Sequence, residues 1–375
     1  MHIRLLNPLD TPAVKALWHL SFPEDSTAFV DWFFQTRYRP DYTWGLFLEG
    51  KLLANLQAFP QRIRLRGKEL AVHMIVGAAT HPDARRQGHM NRLIRHVFHA
   101  LHNDHAASIL YPFRYSFYRQ MGYATVSERI LASIPTSALP LSPTHGAAPI
   151  RGESEFSTLH AIQREFCRRF DGHALPAIED TRLRFEEFQL EGANGLLAES
   201  KEWFAYFSQK DAVCTLHHIA YTSLAALHAC LLACAHVQKS ERIVLPLPKM
   251  DTLYEWLPDA RGFHSLEPFL MLRILNIPDF LLGMTSRFDG SITIQIHDSV
   301  SDESAQWHIE SKDRQIVRVS RVAASQRPDS TLSMIDFTRW ACGMVSASEL
   351  AFEGVENADI LAFLAPQSNY FYDMY

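Results

Sequence analysis

Residues 76–90 read Val-Gly-Ala-Ala-Thr-His-Pro-Asp-Ala-Arg-Arg-Gln-Gly-His-Met and run directly into Asn91-Arg-Leu-Ile-Arg-His-Val-Phe-His-Ala100. A strand-like apolar segment ends at a proline, turns through Arg85, Arg86, Gln87 and Gly88, and opens an amphipathic helix. Such a turn leaves backbone N–H groups unpaired at the helix start, with the positive end of the macrodipole behind them. That is an anion site suited to a pyrophosphate. Gly88 removes a side chain where backbone and phosphate must approach closely, and Arg85 and Arg86 supply charge. A basic turn before a helix can also be merely solvated, so a second block matters. Residues 109–123, Ile-Leu-Tyr-Pro-Phe-Arg-Tyr-Ser-Phe-Tyr-Arg-Gln-Met-Gly-Tyr, read as a strand end, a break at Pro112, one or two helical turns and a left-handed stop at Gly122. A phenol on that short helix could donate a proton to a departing group. The plain alternative is that Tyr118 and Tyr123 are packing aromatics. The order of strand, anion loop, helix, strand and tyrosine helix favours the chemical role for Tyr118.

These blocks need elements to hold them. Helical patterns cover 12–21 and 26–35. Strand-like segments follow at 42–48, 52–57, 62–65 and 70–79, with turns at Glu49-Gly50-Lys51 and Arg66-Gly67-Lys68. Residues 133–152 are rich in Pro, Ser and Ala and mark a linker or a long surface crossing. Beyond them, helices at 156–170 and 181–187, strands at 203–207 and 212–221, an apolar helix at 223–236 and a strand at 242–247 form a second α/β pattern. No second Arg-x-x-Gly loop accompanies it. In the last hundred residues, 291–297 alternates with Ile292, Ile294 and Ile296 on one face, and 307–310 and 316–319 look like its neighbours. Segments 331–335, 336–341, 346–352 and 358–365 then alternate short strand and helix.

A chain of 375 residues holds two or three domains. Hydrophobic residues at 47% and charged residues at 21% give ample core in a soluble, globular chain. No apolar run approaches the ~20 residues that cross a bilayer, and the apolar run at the N-terminus is too short for a signal peptide. A formal charge of −5 argues against nucleic acid as an obligatory partner and mildly favours a cationic substrate. Five cysteines with no C-x-x-C pair predict reduced, cytoplasmic core residues. His96, His99, His102 and His105 recur every third residue, but that step drifts by about 60° around a helix, so all four cannot converge on one ion. No carboxylate or cysteine completes a site nearby, and no metal is expected.

The Arg85–Met90 turn resembles the coenzyme-A motif of the GNAT acetyltransferases, Arg/Gln-x-x-Gly-x-Gly/Ala, with Met90 in place of the last small residue. Phe117-Tyr118-x-x-x-Gly122-Tyr123 is similar to the later GNAT motif, in which a helix tyrosine faces the coenzyme's sulfur. Taken along its whole length, the chain resembles the Eis family, named for enhanced intracellular survival, in which a bulky residue at the position of Met90 is usual. The resemblance implies an α/β (α+β) fold of tandem GNAT-like domains followed by a sterol-carrier-protein-like C-terminal domain. The expected division is 1–132 with the acetyl-CoA site, 133–275 without a phosphate loop, and 276–375 carrying the C-terminus into the active site.

The resemblance further implies acetyl-CoA as donor, a primary amine as acceptor (a polyamine-like or aminoglycoside-like molecule, or a lysine side chain) and a cytoplasmic homohexamer. By motif position the coenzyme would lie against Ala78, Ala79 and Thr80, against Arg85, Arg86, Gln87, Gly88, His89, Met90 and Asn91, and against Phe113 and Arg114. In the family the last two positions are usually smaller or acidic, which implies a narrower and less anionic acceptor pocket here. Tyr118 matches the general acid. The base in Eis-like proteins is the chain's own terminal carboxylate, here that of Tyr375, with Asp373 as the alternative. An ordinary frayed tail is the plain reading. Four aromatics in the last six residues are costly to leave in water and favour a docked one. A different class also fits: a lipid or acyl-CoA binding module with a vestigial transferase.

Overall fold

Local sequence explains most of the elements. The computed structural model describes residues 1–139, 146–175, 177–257, 261, 264–323 and 327–372. The N-terminal part contains strands β1 (His2–Leu5), β2 (Thr43–Leu48), β3 (Lys51–Leu65), β4 (Lys68–Thr80), β5 (Ala107–Leu110) and β6 (Ala124–Thr125), with helices α1 (Thr11–Ser21), α2 (Thr27–Thr36), α3 (His89–Leu101) and α4 (Tyr115–Arg119). Helix α3 buries Met90, Leu93, Ile94, Val97 and Phe98 and turns Arg92, Arg95 and His96 to water, as its spacing demands. The middle part contains β7 (Glu128–Pro135), β8 (Ala147–Pro149), α5 (Glu153–Cys167), α6 (Ile178–Leu190), β9 (Asn194–Ala198), β10 (Trp203–Lys210), β11 (Val213–Tyr221), α7 (Leu224–Gln238), β12 (Arg242–Pro248) and β13 (His264–Pro268). The C-terminal part contains β14 (Met271–Ile274), α8 (Ile277–Leu281), β15 (Gly290–Asp298), β16 (Glu303–Lys312), β17 (Gln315–Val322), β18 (Ser330–Ser333), α9 (Met334–Cys342) and α10 (Ala347–Phe352).

The chain divides into two units, one of Met1–Ser127, Gly172–Leu175 and Phe269–Tyr375, the other of Glu128–Asp171 and Pro176–Pro268. Each holds a seven-stranded mixed sheet. In the first the order is β1-β2-β3-β4-β5-β14-β6, and in the second β13-β7-β12-β11-β10-β9-β8. The two share a pattern: antiparallel strands (β2–β4, β9–β11), then a parallel neighbour reached through one crossover helix, α3 between β4 and β5 and α7 between β11 and β12. Tandem GNAT-like α/β architecture accounts for both. In the second unit the crossover helix begins two residues after β11, and the Ser223 side chain accepts from the Ala226 N–H at 3.0 Å. That serine occupies the helix N-terminus that α3 leaves open.

Also in the first unit, β15–β18 form a four-stranded sheet of order β17-β16-β15-β18, with β15 and β18 parallel. Ile292, Ile294 and Ile296 alternate inward and are buried. They join one apolar core with Ile63, Leu65, Val72, Ile109, Leu272, Phe337 and Trp340, so the C-terminal segment and the N-terminal sheet share a single interior. Buried Arg66, at the β3–β4 turn, stitches them together. Its guanidinium donates to the carbonyls of Ala341 at 2.7 Å and Ala365 at 2.6 Å, placing a cation at the end of α9. All five cysteines are buried, and none is in a disulfide.

Candidate active site

Strand β4 runs with β3 out to the Ala54–Thr80 pair, but with β5 only over Val72–Met74, opposite Ala107–Ile109. Beyond that point β5 leaves β4, and among the described residues Ile75–Thr80 pair with no strand on that side. The backbone groups of β4 therefore line a wedge. Within it β4 carries a bulge: Asn55 opposes Ala79 and Gln57 opposes Val76, which leaves an extra residue on β4. Gly77 takes the strain with φ of 58°. Its carbonyl accepts from Asn55 Nδ2 at 3.2 Å, and the indole of Trp18 packs where a side chain would stand. The bulge re-aims the peptide groups around Ala78 and Ala79, the two alanines expected to meet the coenzyme.

The anion loop leaves the same end of β4. Thr80 is tied back to it, because Arg85 Nε donates to the Thr80 carbonyl at 3.2 Å, while Gln87 Nε2 donates to Asp83 O at 3.1 Å. Arg86 is left-handed at φ 62° and Gly88 at φ 75°. No side chain caps α3, and its first helical bond runs from Arg92 N–H to Gly88 O at 3.0 Å. The amides of His89, Met90 and Asn91 thus head the helix without intrahelical acceptors. A Cβ on Gly88 would meet nothing within 4 Å, so the glycine is set by its φ and the space beside it is open. Met90 does not obstruct that space. Its side chain turns inward to a cluster with Trp44, Leu93, Ile94 and Tyr118, leaving only its backbone on the loop face. Arg85, Arg86 and Gln87 are exposed, whereas His89 is buried.

Tyr118 sits on the buried face of α4, in the same cluster as Met90, Phe98 and Tyr123. Burial pushes its phenol up to about 12, so it is protonated at neutral pH and able to donate. Exposed Phe113 and half-buried Phe117 stand 5.5 Å and 5.2 Å from its ring. Arg114, exposed, precedes α4 and makes no side-chain cap. Tyr123 is wholly buried, hydrogen-bonded to Ser108 Oγ at 2.6 Å, and burial raises its pKa further. Tyr123 is fully enclosed, and Tyr118 is buried beside it, their rings 5.8 Å apart. Gly122, at φ 77°, ends the turn under the guanidinium of Arg273, and Arg273 Nη1 donates to Met121 O at 3.3 Å.

Asp373 and Tyr375 lie outside the described residues. The chain leading to them is held against the first unit. Asn369 Nδ2 donates to the carbonyls of Val126 at 3.2 Å and Cys342 at 2.8 Å, and Tyr370, Phe371 and Tyr372 are buried. The four spaced histidines go different ways. His96 meets Trp44, His105 meets buried His73, and His99 stacks on His102 at 5.7 Å. Among the described residues, no group of three or more His, Cys, Asp or Glu is placed to hold a metal ion, and no helix is long and apolar enough to cross a membrane. Sequence reasoning missed Gly77, Asn55 and Trp18. A glycine inside a strand was the available sign of a bulge.

Residues 2–126 match the acetyltransferase (GNAT) domain family. No curated protein matches the sequence. Among solved structures, a protein of Enterococcus faecalis V583 described as a probable N-acyltransferase superposes with a TM-score of 0.86 at 17% identity, covering 100% of this chain and 99% of that one. A GCN5-related N-acetyltransferase of Anabaena variabilis gives 0.83 at 13% identity, covering 99% and 98%. Eis1 of Mycobacterium abscessus gives 0.78 at 15% identity, covering 99% of both chains. With the splayed strands, the uncapped helix start and the family match falling on the same residues, residues 2–126 form a GNAT acetyltransferase domain, set in a longer α/β fold similar to that of the Enterococcus faecalis, Anabaena variabilis and Mycobacterium abscessus structures.

Proposed function

We propose that this protein transfers the acetyl group of acetyl-CoA to a primary amine, small and polyamine-like or the side chain of a lysine, and that it is an Eis-like enzyme. The observation that carries the reading is the divergence of β5 from β4 beside the uncapped N-terminus of α3, with Tyr118 on the short helix that follows β5. The pyrophosphate would take the amides of Gly88 to Asn91 and the charges of Arg85 and Arg86. The pantetheine would run along Ala78, Ala79 and Thr80, with Phe113 and Arg114 across the site.

The chemistry balances on these groups. The neutral amine attacks the thioester carbon, and an N–H of the bulged β4 stabilises the oxyanion. The C–S bond breaks, and the phenol of Tyr118 gives its proton to the departing thiolate. An ammonium near pKa 10 must first lose a proton. We assign that step to the terminal carboxylate of Tyr375, with Asp373 as the alternative. Support comes from the buried Tyr370–Tyr372 run and the Asn369 contact to Val126, three residues from Tyr123. Such a carboxylate, ordinarily near 3.5, needs a water relay or burial to act as base.

The proposal extends to the division into 1–132, 133–275 and a sterol-carrier-protein-like 276–375, to a homohexamer, and to work in the cytoplasm. The four-stranded β15–β18 sheet with its flanking helices supports a distinct C-terminal module, though its core is continuous with that of the N-terminal sheet. Tyr118→Phe tests the catalytic reading. It keeps the ring and deletes one hydroxyl, so kcat for acetyl transfer to an amine panel should fall by ~10²-fold with acetyl-CoA affinity unchanged. Turnover within about twofold of the parent would make Tyr118 a packing aromatic.

A further inference from the structure

A cavity of about 650 Å³ opens in the first unit, away from the anion loop, between α3, the β14–α8 segment and one end of the β15–β17 sheet. That size falls in the ~300–1,000 Å³ range of small-molecule sites. Its floor is apolar, from Phe98, Ile274, Ile277, Ile296 and Ala305, with half-buried Trp307 as an aromatic wall.

Its rim carries two guanidinium groups, Arg95 from α3 and Arg321 from β17, with His99 on α3 and His102 just past its end beside them. Among the described residues, Arg95 is held by neutral acceptors, Asn91 Oδ1 at 2.8 Å and the Val300 carbonyl. The two carboxylates that line the cavity are Asp298 and Glu303. Asp298 is consumed by Arg273, which it meets through Nη2 at 2.6 Å, and it also accepts from the Val300 N–H and the Ser301 hydroxyl. Glu303 is left to face Arg95 and Arg321, so the mouth keeps a net positive charge. Two of the four evenly spaced imidazoles, His99 and His102, line this cavity.

We propose that this cavity is a second ligand site, taking a small amphiphile whose anionic head, a carboxylate, meets Arg95 and Arg321 while its apolar body lies against Ile296, Ala305 and Trp307. Guanidinium forks suit a carboxylate, and Trp307 supplies large contact area at little entropic cost.

The test is calorimetric titration of the full chain with octanoate, with saturating coenzyme A, which fills the coenzyme site but has no acetyl group to transfer, present throughout. The control ligand is octylamine, which keeps the alkyl body and reverses the charge. Octanoate should bind with one-site stoichiometry, and Arg321→Glu, at an exposed position, should weaken it about tenfold or more while octylamine tightens. Ala305→Phe, filling the floor, should weaken both ligands, with thermal unfolding of each variant checked alongside. No octanoate heat at millimolar concentration, equal affinity in Arg321→Glu, or octylamine binding as tightly as octanoate to the parent would each overturn the site.

Discussion

Cζ3 of the Trp18 indole lies 2.5 Å from the position a Cβ on Gly77 would occupy. Helix α1 therefore dictates a glycine on β4, and that glycine, at φ 58°, makes the bulge that turns the peptides of Ala78 and Ala79. A ring 59 residues away in sequence shapes the strand edge at which the acyl group is proposed to react. Gly77→Ala should cost stability by about 1–3 kcal/mol from overpacking, and more from the left-handed φ. It should also lower kcat by moving the bulge. Denaturant unfolding and steady-state kinetics check both. Trp18→Phe in the same chain should recover part of the loss, because the two residues share one space.

Gly88→Asp sets a carboxylate among amides that await a phosphate. Acetyl-CoA binding should be abolished with the fold retained, since the space beside Gly88 is open and aspartate tolerates left-handed backbone better than most residues. Thermal shift with and without acetyl-CoA is the measurement. An undiminished ligand-induced rise would remove the loop from the site.

The carboxylate at Tyr375 can be tested without touching a side chain. One alanine added after Tyr375 displaces it by up to ~3.5 Å. We expect turnover to collapse while acetyl-CoA still binds, and Tyr375→Phe to behave as the parent. Normal turnover in the extended chain would transfer the role of base to Asp373 or another carboxylate.

His73 carries a pH dependence of its own. Complete burial, with His105 beside it, pushes its pKa down to about 3, and neither ring nitrogen has a hydrogen-bond partner among the described residues. The folded state therefore keeps it neutral, while the unfolded chain protonates it near 6.5. Above that value it contributes no pH dependence. As pH falls from about 6.5 towards 3, the unfolded state gains a proton that the folded state refuses, and stability drops by up to about 1.4 kcal/mol per pH unit. His73→Phe should flatten that slope between pH 4 and 6.5 and be close to neutral at pH 7.5, read from urea midpoints. An identical slope in the variant would assign the acid sensitivity to other groups. Asp298 titrates lower: burial pushes its carboxyl up, but the Arg273 hydrogen bond and charge outweigh this and hold it below the ordinary range. Its stabilising effect is present at neutral pH and disappears as pH falls through that depressed pKa.

What the sequence determined by itself is what neighbours along the chain decide. The proline, the basic turn and Gly88 announce an uncapped helix start. The apolar spacing of Leu93, Ile94, Val97 and Phe98 makes α3 amphipathic, and Ile292, Ile294 and Ile296 alternate as a strand with one buried face. Each rests on backbone geometry within a few residues, so composition and periodicity suffice. Tertiary structure alone decided the rest. Strand β14, remote in sequence, inserts between β5 and β6, pairing Leu272 with both Ile109 and Ala124. Arg66 reads as a turn residue but is buried beneath α9, and the four evenly spaced histidines separate to three different surroundings. Such pairings join segments whose separation carries no local signal. They hold because apolar burial across a shared core offsets the entropy of closing long loops, a balance set only once the whole unit has packed.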